Sequence, residues 1–371
     1  MADLLKNIYN QKFFDQYTLA LSKLIPGFDQ YFFISQVKIP TWNEMELKQR
    51  MNHLMKETAS ILPESFKSKI DFISRLIDIL SEQGVKAQNL EYIFLADLIT
   101  EFGLENLDEA ISAFETVTKF TSCEFAVRKF IINYPDQMMQ QMLIWSQHEN
   151  ENVRRFASEG CRPLLPWGAR LHHLVKNPDP AIPILQNLKN DPSLYVRKSV
   201  ANHLNDISKN QPELVLNIFK TWQKDQEGRT DWIIKHGART LLKQGNPVAL
   251  SLFGTSSETP FSLFQWDISK DNVVLGDDIN LVFSLRNDDT QSASFRIEYG
   301  IYFVKSSGTS SKKIFQVAEK SLLAGETITI IKKHKFIDLT TRKHHPGVHK
   351  IGIVINGNES ELKEVMLRLH C

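Results

Sequence analysis

Val153-Arg154-Arg155-Phe156-Ala157-Ser158-Glu159-Gly160-Cys161-Arg162-Pro163-Leu164-Leu165-Pro166-Trp167 is the stretch that decides how this chain is read. Val153, Phe156, Ala157 and Gly160 fall at i, i+3, i+4 and i+7, the spacing of one buried helical face, while Arg154, Arg155 and Glu159 lie off it. Gly160 predicts the helix stop. Beyond it, Arg162-Pro163 and Pro166-Trp167 make a stiff segment, because proline fixes φ and restricts the residue before it. Such a segment holds a guanidinium and an indole in place. The macrodipole disfavours a carboxylate at a helix C-terminus by about 0.3–1 kcal/mol, so Glu159 there needs a compensating reason. An i, i+4 pair with Arg155 is the simplest one; chemistry is the other.

The surrounding helices repeat. Trp145 precedes Val153-Arg154 by eight residues and Leu188 precedes Val196-Arg197 by the same eight, an offset of 43 that falls in the HEAT-like range. Asp191-Pro192-Ser193 supplies capping residues and a first-turn proline for the second copy. Asp231 to Leu242 reads as a looser third copy and Phe125-Ala126-Val127-Arg128 as an earlier one. Helix pairs that cannot bury their faces alone must stack, which predicts a solenoid with a concave binding surface. Upstream, from Leu4 to about Leu80, apolar residues recur at helical intervals with breaks at Pro26-Gly27, Pro40 and Pro63.

Past Gly254-Thr255-Ser256-Ser257 the period changes from helical to alternating. Ile279, Leu281, Phe283 and Leu285 share one face, as do Phe295, Ile297, Tyr299 and Ile301. Ile328 and Ile330, then Val348, Ile351, Ile353 and Ile355, add further strands. The expected fold is mainly α: a HEAT-like α-solenoid over residues 1–254, followed by an all-β immunoglobulin-like sandwich over 260–371. The sandwich carries the charge asymmetry of the chain. From Lys305 to Lys350 there are ten lysines and arginines against Glu319, Glu326 and Asp338, with His334, His344, His345 and His349 among them. A cluster this one-sided suits a phosphate backbone, and solubilising lysines on strand edges are the alternative.

Composition excludes several classes. The 371 residues are 42% apolar and 23% charged with a formal net charge of +1, and no apolar run spans a bilayer. Met1-Ala2-Asp3-Leu4-Leu5-Lys6 lacks a signal-peptide pattern, which predicts the cytoplasm. Cys123, Cys161 and Cys371 have no metal-ligand spacing, and His172-His173 cannot share a helical face, so no metal or cofactor is expected. Neither a Gly-rich phosphate loop nor a serine nucleophile elbow is present. Three acids sit beside bases or aromatics in the repeats: Glu124, Glu159 and Asp206. Asp206, like Glu159, ends a helix where the dipole is adverse, although a turn-forming aspartate is commonplace there.

Several longer motifs carry a resemblance: Pro26-Gly27-Phe28-Asp29, Glu46-Leu47-Lys48-Gln49-Arg50-Met51-Asn52-His53, Glu124-Phe125-Ala126-Val127-Arg128, the Ser158-Glu159-Gly160-Cys161-Arg162-Pro163 to Leu165-Pro166-Trp167 signature, Val196 to Asp206, and Lys235-His236-Gly237-Ala238-Arg239. On these, the whole chain resembles the AlkC group of bacterial alkylpurine-DNA glycosylases in the HEAT-like-repeat glycosylase superfamily. The appended sandwich separates that group from the shorter AlkD type. Cys161 stands where a threonine is usual and Leu164 where a basic residue is usual, which puts one phosphate contact in doubt.

The resemblance implies hydrolysis of the N-glycosidic bond of cationic alkylated bases in double-stranded DNA, with 3-methyladenine foremost and 3-methylcytosine or 7-methylguanine as further candidates. It implies a monomer without cofactor or metal. Glu159 and Asp206 match the acidic positions of the family, with Glu124 as a supporting acid that orients Arg155 or Arg162. Trp167 is expected to stack near the cation. Arg128, Arg155, Arg162, Lys198, His203, Lys235, His236 and Arg239 are expected on phosphates, joined by Lys332, Lys333, Lys335, Arg342 and Lys343 of the sandwich acting as a clamp. Two other readings compete: a non-catalytic HEAT-repeat protein that binds bent or branched DNA, and a protein-binding scaffold.

Overall fold

The computed structural model describes residues 4–225, 227–339 and 342–369. Two compact units make up the chain: Met1–Gln211 with Thr221–Gly237, and Pro212–Lys220 with Ala238–Cys371. Among the described residues, no helix is long and apolar enough to cross a membrane.

The first unit is helical throughout. Its inner helices stack in series: Leu107–Phe120 against Glu151–Gly160, then Leu194–Ile207, then Gly228–Gly237. The offset of 43 seen in the sequence has a structural counterpart. Arg154 Nη1 reaches back to the carbonyls of His148 (3.0 Å) and Glu149 (2.6 Å), and Arg197 Nη1 does the same to Asp191 (2.7 Å) and Pro192 (2.9 Å). Each arginine thus satisfies carbonyls in the loop that leads into its own helix. Arg154 also grips both oxygens of Asp191 at 2.6 and 3.1 Å, tying one repeat to the next. The tryptophans repeat too: Trp145 Nε1 donates to Glu115 and Trp222 Nε1 to Gln186.

The Glu151–Gly160 helix is capped by Asn150, whose side chain accepts from the Asn152 N–H. Val153, Phe156 and Ala157 are buried as their spacing requires, but so are Ser158 and Glu159, because the neighbouring helix covers the last turn. Gly160 is not the left-handed stop expected of it. A Cβ there would lie 2.9 Å from Val127 Cγ1, so its glycine is a matter of close packing, and the chain leaves the helix at Cys161.

In the second unit the strands are β1 (Phe261–Ile268), β2 (Asn272–Val274), β3 (Asp278–Asn287), β4 (Ala293–Val304), β5 (Ser310–Leu322), β6 (Thr327–Lys335), β7 (Gly347–Ile355), β8 (Asn358–Glu359) and β9 (Lys363–Arg368). One sheet runs β1-β3-β6 and the other β2-β9-β7-β4-β5, with β8 paired to β7. Ile279, Leu281, Phe283 and Leu285 face Phe295, Ile297, Tyr299, Ile301 and the β7 isoleucines across one immunoglobulin-like core. Val348 departs from its expected place: the side-chain period of two puts it with the exposed Lys350, and His349 turns inward instead. His334 and His344 are also buried, against Phe303 and Phe336, so these two and His349 contribute to the core and not to a basic surface, while His345 is half-buried.

Candidate active site

The acids singled out in the sequence converge on two arginines. Arg162 Nη1 lies 2.6 Å from Glu159 Oε1, and its Nε and Nη2 lie 2.9 and 2.8 Å from Asp206 Oδ2. Arg155 Nη2 is 3.5 Å from Glu159 Oε1, and its Nη1 is paired with Glu124 Oε2. The result is an alternating series, Glu124, Arg155, Glu159, Arg162, Asp206, that spans three repeats. Glu159 and Asp206 are 6% and 3% exposed, so these contacts are made away from bulk water. In such a setting a charge must be paired and hydrogen-bonded to be tolerated.

Further groups complete the pairing. Ser199 Oγ donates to Glu159 Oε2 at 2.6 Å, and Lys209 Nζ to Asp206 Oδ1 at 3.0 Å. Glu124 Oε2 also receives the Ser122 hydroxyl at 2.5 Å, whereas its Oε1 has no hydrogen bond among the described residues. Among the described residues, only Glu124 of the three carboxylates keeps an oxygen without a donor. Arg155 packs over the Tyr195 ring at 4.9 Å, which holds its plane. Ser199, Ser122, Lys209 and Tyr195 were not singled out from the sequence, since nothing about a serine in a helical run distinguishes one that caps a carboxylate on another helix.

Three residues expected on DNA phosphates are interior: Arg128, Arg162 and His203. Arg128 is 1% exposed; its Nε donates to the Ala169 carbonyl at 2.5 Å and its Nη1 to the Gly160 carbonyl at 3.0 Å. It braces both ends of the segment that carries Arg162 and Trp167. His203 is fully buried, with Nδ1 3.0 Å from the Ser158 carbonyl, so Nδ1 carries the proton. Burial, followed by the charges of Arg162 and Arg128, holds its imidazole down at about 3 and therefore neutral. Arg155 and Arg162 are committed to carboxylates and are not open phosphate contacts either. Lys198, Lys235 and His236 are exposed, His236 stacking on Trp232 at 4.3 Å, and Arg239 is half-buried. In the second unit, Lys335 and Lys343 are exposed, Lys333 pairs with Asp278 at 2.5 Å, Lys332 lies on the inward row of β6, and Arg342 packs over Phe303 at 4.2 Å.

Trp167 is 60% exposed and has φ of 66°. It occupies the third position of a turn closed by Gly168 N–H to the Leu165 carbonyl at 3.1 Å, a place where glycine is usual. Lys48 Nζ binds the Trp167 carbonyl, so a strained backbone is held by a charged donor from a distant helix. Cys161 bonds back to the Ala157 carbonyl at 3.1 Å, the same bond a threonine hydroxyl makes, which explains why either residue suits this position. Its thiol is pushed up to about 12 by burial and is no nucleophile. No group of three or more His, Cys, Asp or Glu residues is arranged to hold a metal among the described residues.

Residues 77–240 match the sequence model of the DNA alkylation repair enzyme family, and residues 262–369 that of the uncharacterised protein YhaZ, C-terminal Ig-like domain. The chain is 38% identical over 357 residues to the uncharacterized protein YhaZ of Bacillus subtilis (strain 168), covering 96% of this chain and 97% of that protein. It is similar in structure to the Pseudomonas fluorescens alkylpurine DNA glycosylase AlkC bound to DNA containing an abasic site analog. That match has a TM-score of 0.91 at 34% identity and covers 99% of this chain and 100% of the other. The chain belongs to the AlkC family of DNA alkylation repair proteins. In this AlkC-type chain both parts of the expected architecture, helical repeats and a C-terminal Ig-like domain, are present.

Proposed function

We propose that this chain is a DNA glycosylase that hydrolyses the N-glycosidic bond of cationic alkylated bases in duplex DNA, 3-methyladenine foremost. The observation that carries the reading is Arg162 holding Glu159 and Asp206 in one buried cluster within an AlkC-type fold. An N-alkylated base already bears positive charge, so departure needs no strong general acid. The C1′–N bond breaks, its electron pair neutralises the base, and positive charge develops on the sugar. Carboxylates fixed before the reaction stabilise that charge without reorganising. Water then adds to C1′ and gives its proton to a carboxylate. Glu124 suits that last step best, because its Oε1 has no donor among the described residues, whereas the oxygens of Glu159 and Asp206 are engaged. Trp167, exposed and held by Lys48, is available for a cation–π contact with the lesion.

The phosphate contacts fall to exposed residues: Lys198, Lys235 and His236 in the repeats, Lys335 and Lys343 in the sandwich. The deciding experiment is mass spectrometry of bases released by the purified chain from methylated duplex DNA. Release of 3-methyladenine supports the reading. Tight binding to bent or branched DNA with no base released overturns it in favour of a non-catalytic DNA-binding protein.

A further inference from the structure

The helical unit holds a small pocket with a volume of about 150 Å³, room for roughly five waters or one heterocycle. Leu47 and Met51 of the Leu47–Ala59 helix, Leu90 and Ile93 form its apolar wall, and the Phe125 and Trp167 rings border it. Phe125 directly follows Glu124 in the chain, and Trp167 ends the segment that carries Arg162, so the backbone that holds the proposed catalytic residues also supplies two walls of the pocket. Asp97, on the Phe94–Phe102 helix, contributes the one carboxylate in the lining. That carboxylate makes no hydrogen bond or ion pair within the described residues. Burial pushes it up to about 6, with Lys48 pulling the other way. Lys48 is already committed: its Nζ binds the Trp167 carbonyl and sits 5.5 Å over the Phe125 ring, so it shapes the pocket and is not the partner of Asp97. A half-buried, unpartnered carboxylate among aromatic and apolar walls is an acceptor that waits for a donor.

We infer that this pocket receives the alkylated base after it leaves the sugar, with its ring against Trp167 and Phe125 and an amino N–H donating to Asp97. The inference rests on the glycosylase reading above. It is chemically consistent with it: the departing base takes the electron pair of the broken bond and becomes neutral, so Lys48 nearby does not repel it. With the ring against Trp167 and Phe125 and its amino group on Asp97, no contact in the site requires the sugar, so the site is assigned to product. Base–aromatic stacking supplies the affinity and Asp97 the preference for an amino-bearing ring.

The test is calorimetric binding of free 3-methyladenine to the full chain without DNA, with adenine and adenosine as a neutral pair that differs only by the sugar. Expected are saturable one-to-one binding, at least tenfold weaker binding of adenosine than of adenine, and at least a tenfold loss of base affinity in Asp97→Leu and in Trp167→Ala. Met51→Trp, which fills the cavity from its apolar wall, abolishes binding whether or not the Asp97 variant folds well. No saturable binding by a chain that does release bases from methylated DNA overturns the pocket while leaving the glycosylase reading intact. Binding of the base by a chain that releases nothing overturns the glycosylase reading and, with it, the assignment of the pocket to product. Undiminished binding in Met51→Trp also overturns the site.

Discussion

Ser199 donates its hydroxyl hydrogen to Glu159 across two neighbouring repeats, Oγ to Oε2 at 2.6 Å. Arg162 takes the other oxygen, so both oxygens of a nearly inaccessible carboxylate are directed by donors from elsewhere in the chain. Removing the hydroxyl leaves Glu159 held through Oε1 alone, by Arg162 and Arg155, and its Oε2 free to turn. Ser199→Ala is expected to lower base release about tenfold while DNA affinity stays the same, the loss of one neutral–ionic hydrogen bond of roughly 1.5 kcal/mol. Single-turnover release and equilibrium binding on the same duplex separate the two effects.

Glu159→Gln and Asp206→Asn keep shape and lose charge. Each is expected to fold, bind DNA and lose base release by about 10²–10³, the scale of removing one preorganised electrostatic group. Glu124→Gln is expected to lose as much. If Glu124→Gln retained full activity, water activation would have to be moved to one of the other two acids.

Arg162 is the more dangerous residue to change. Arg162→Ala leaves two buried carboxylates without their shared partner and is expected to cost about 3–5 kcal/mol of stability. Arg162→Lys offers one point charge where three guanidinium nitrogens now reach two acids, so only part is recovered. Denaturant midpoints for wild type and both variants order as wild type, Lys, Ala; equal midpoints for all three contradict the pairing.

His203 sets an acid limit. Its folded pKa, about 3, lies below the unfolded value of 6.5, so the unfolded chain binds the extra proton between those limits. The stability due to neutral His203 is whole above pH 6.5 and is lost as pH falls toward 3, at about 1.4 kcal/mol per pH unit. His203→Gln is expected to flatten that part of the stability–pH curve. A slope unchanged in the variant assigns it to other groups, such as His334, which is held at about 4 by burial and by Arg342.

Asp97 has the opposite sign. Its folded pKa, about 6, lies above 3.8, so the folded chain holds the proton longer and stability declines as pH rises through that window. Lys48 opposes this from its own helix, and Tyr9 and Cys123 also feel the carboxylate. Asp97→Asn is therefore expected to stabilise the chain by roughly 1–3 kcal/mol at pH 7.5 and by little at pH 4. Thermal unfolding at the two pH values reads this directly; a variant destabilised at both gives Asp97 a structural role.

The two-part architecture was legible in the residues because periodicity is a local property. Val153, Phe156 and Ala157 recur as a helix must, and Ile279, Leu281, Phe283 and Leu285 as a strand must, and both sets are buried. The offset of 43 is equally local, and it marks the same arginine-to-loop contacts in two successive repeats. Glu159 and Asp206 stood out through their awkward helix-end positions, and Glu124 through its basic and aromatic neighbours and the AlkC resemblance.

Tertiary structure alone decided what those acids touch. Whether a basic residue meets a phosphate or a carboxylate depends on what the next repeat places opposite it, and sequence spacing does not encode that. Arg128 and His203 looked like surface bases and are interior, one bracing Gly160 and Ala169, the other held neutral against Ser158. Val348 and His349 exchanged faces because a single residue of register reverses a strand. Asp97 drew no notice in the sequence because an aspartate in a helical run is ordinary. Only the approach of three separate helical segments and the Trp167 turn leaves its carboxylate in a largely apolar pocket without a hydrogen-bond partner among the described residues.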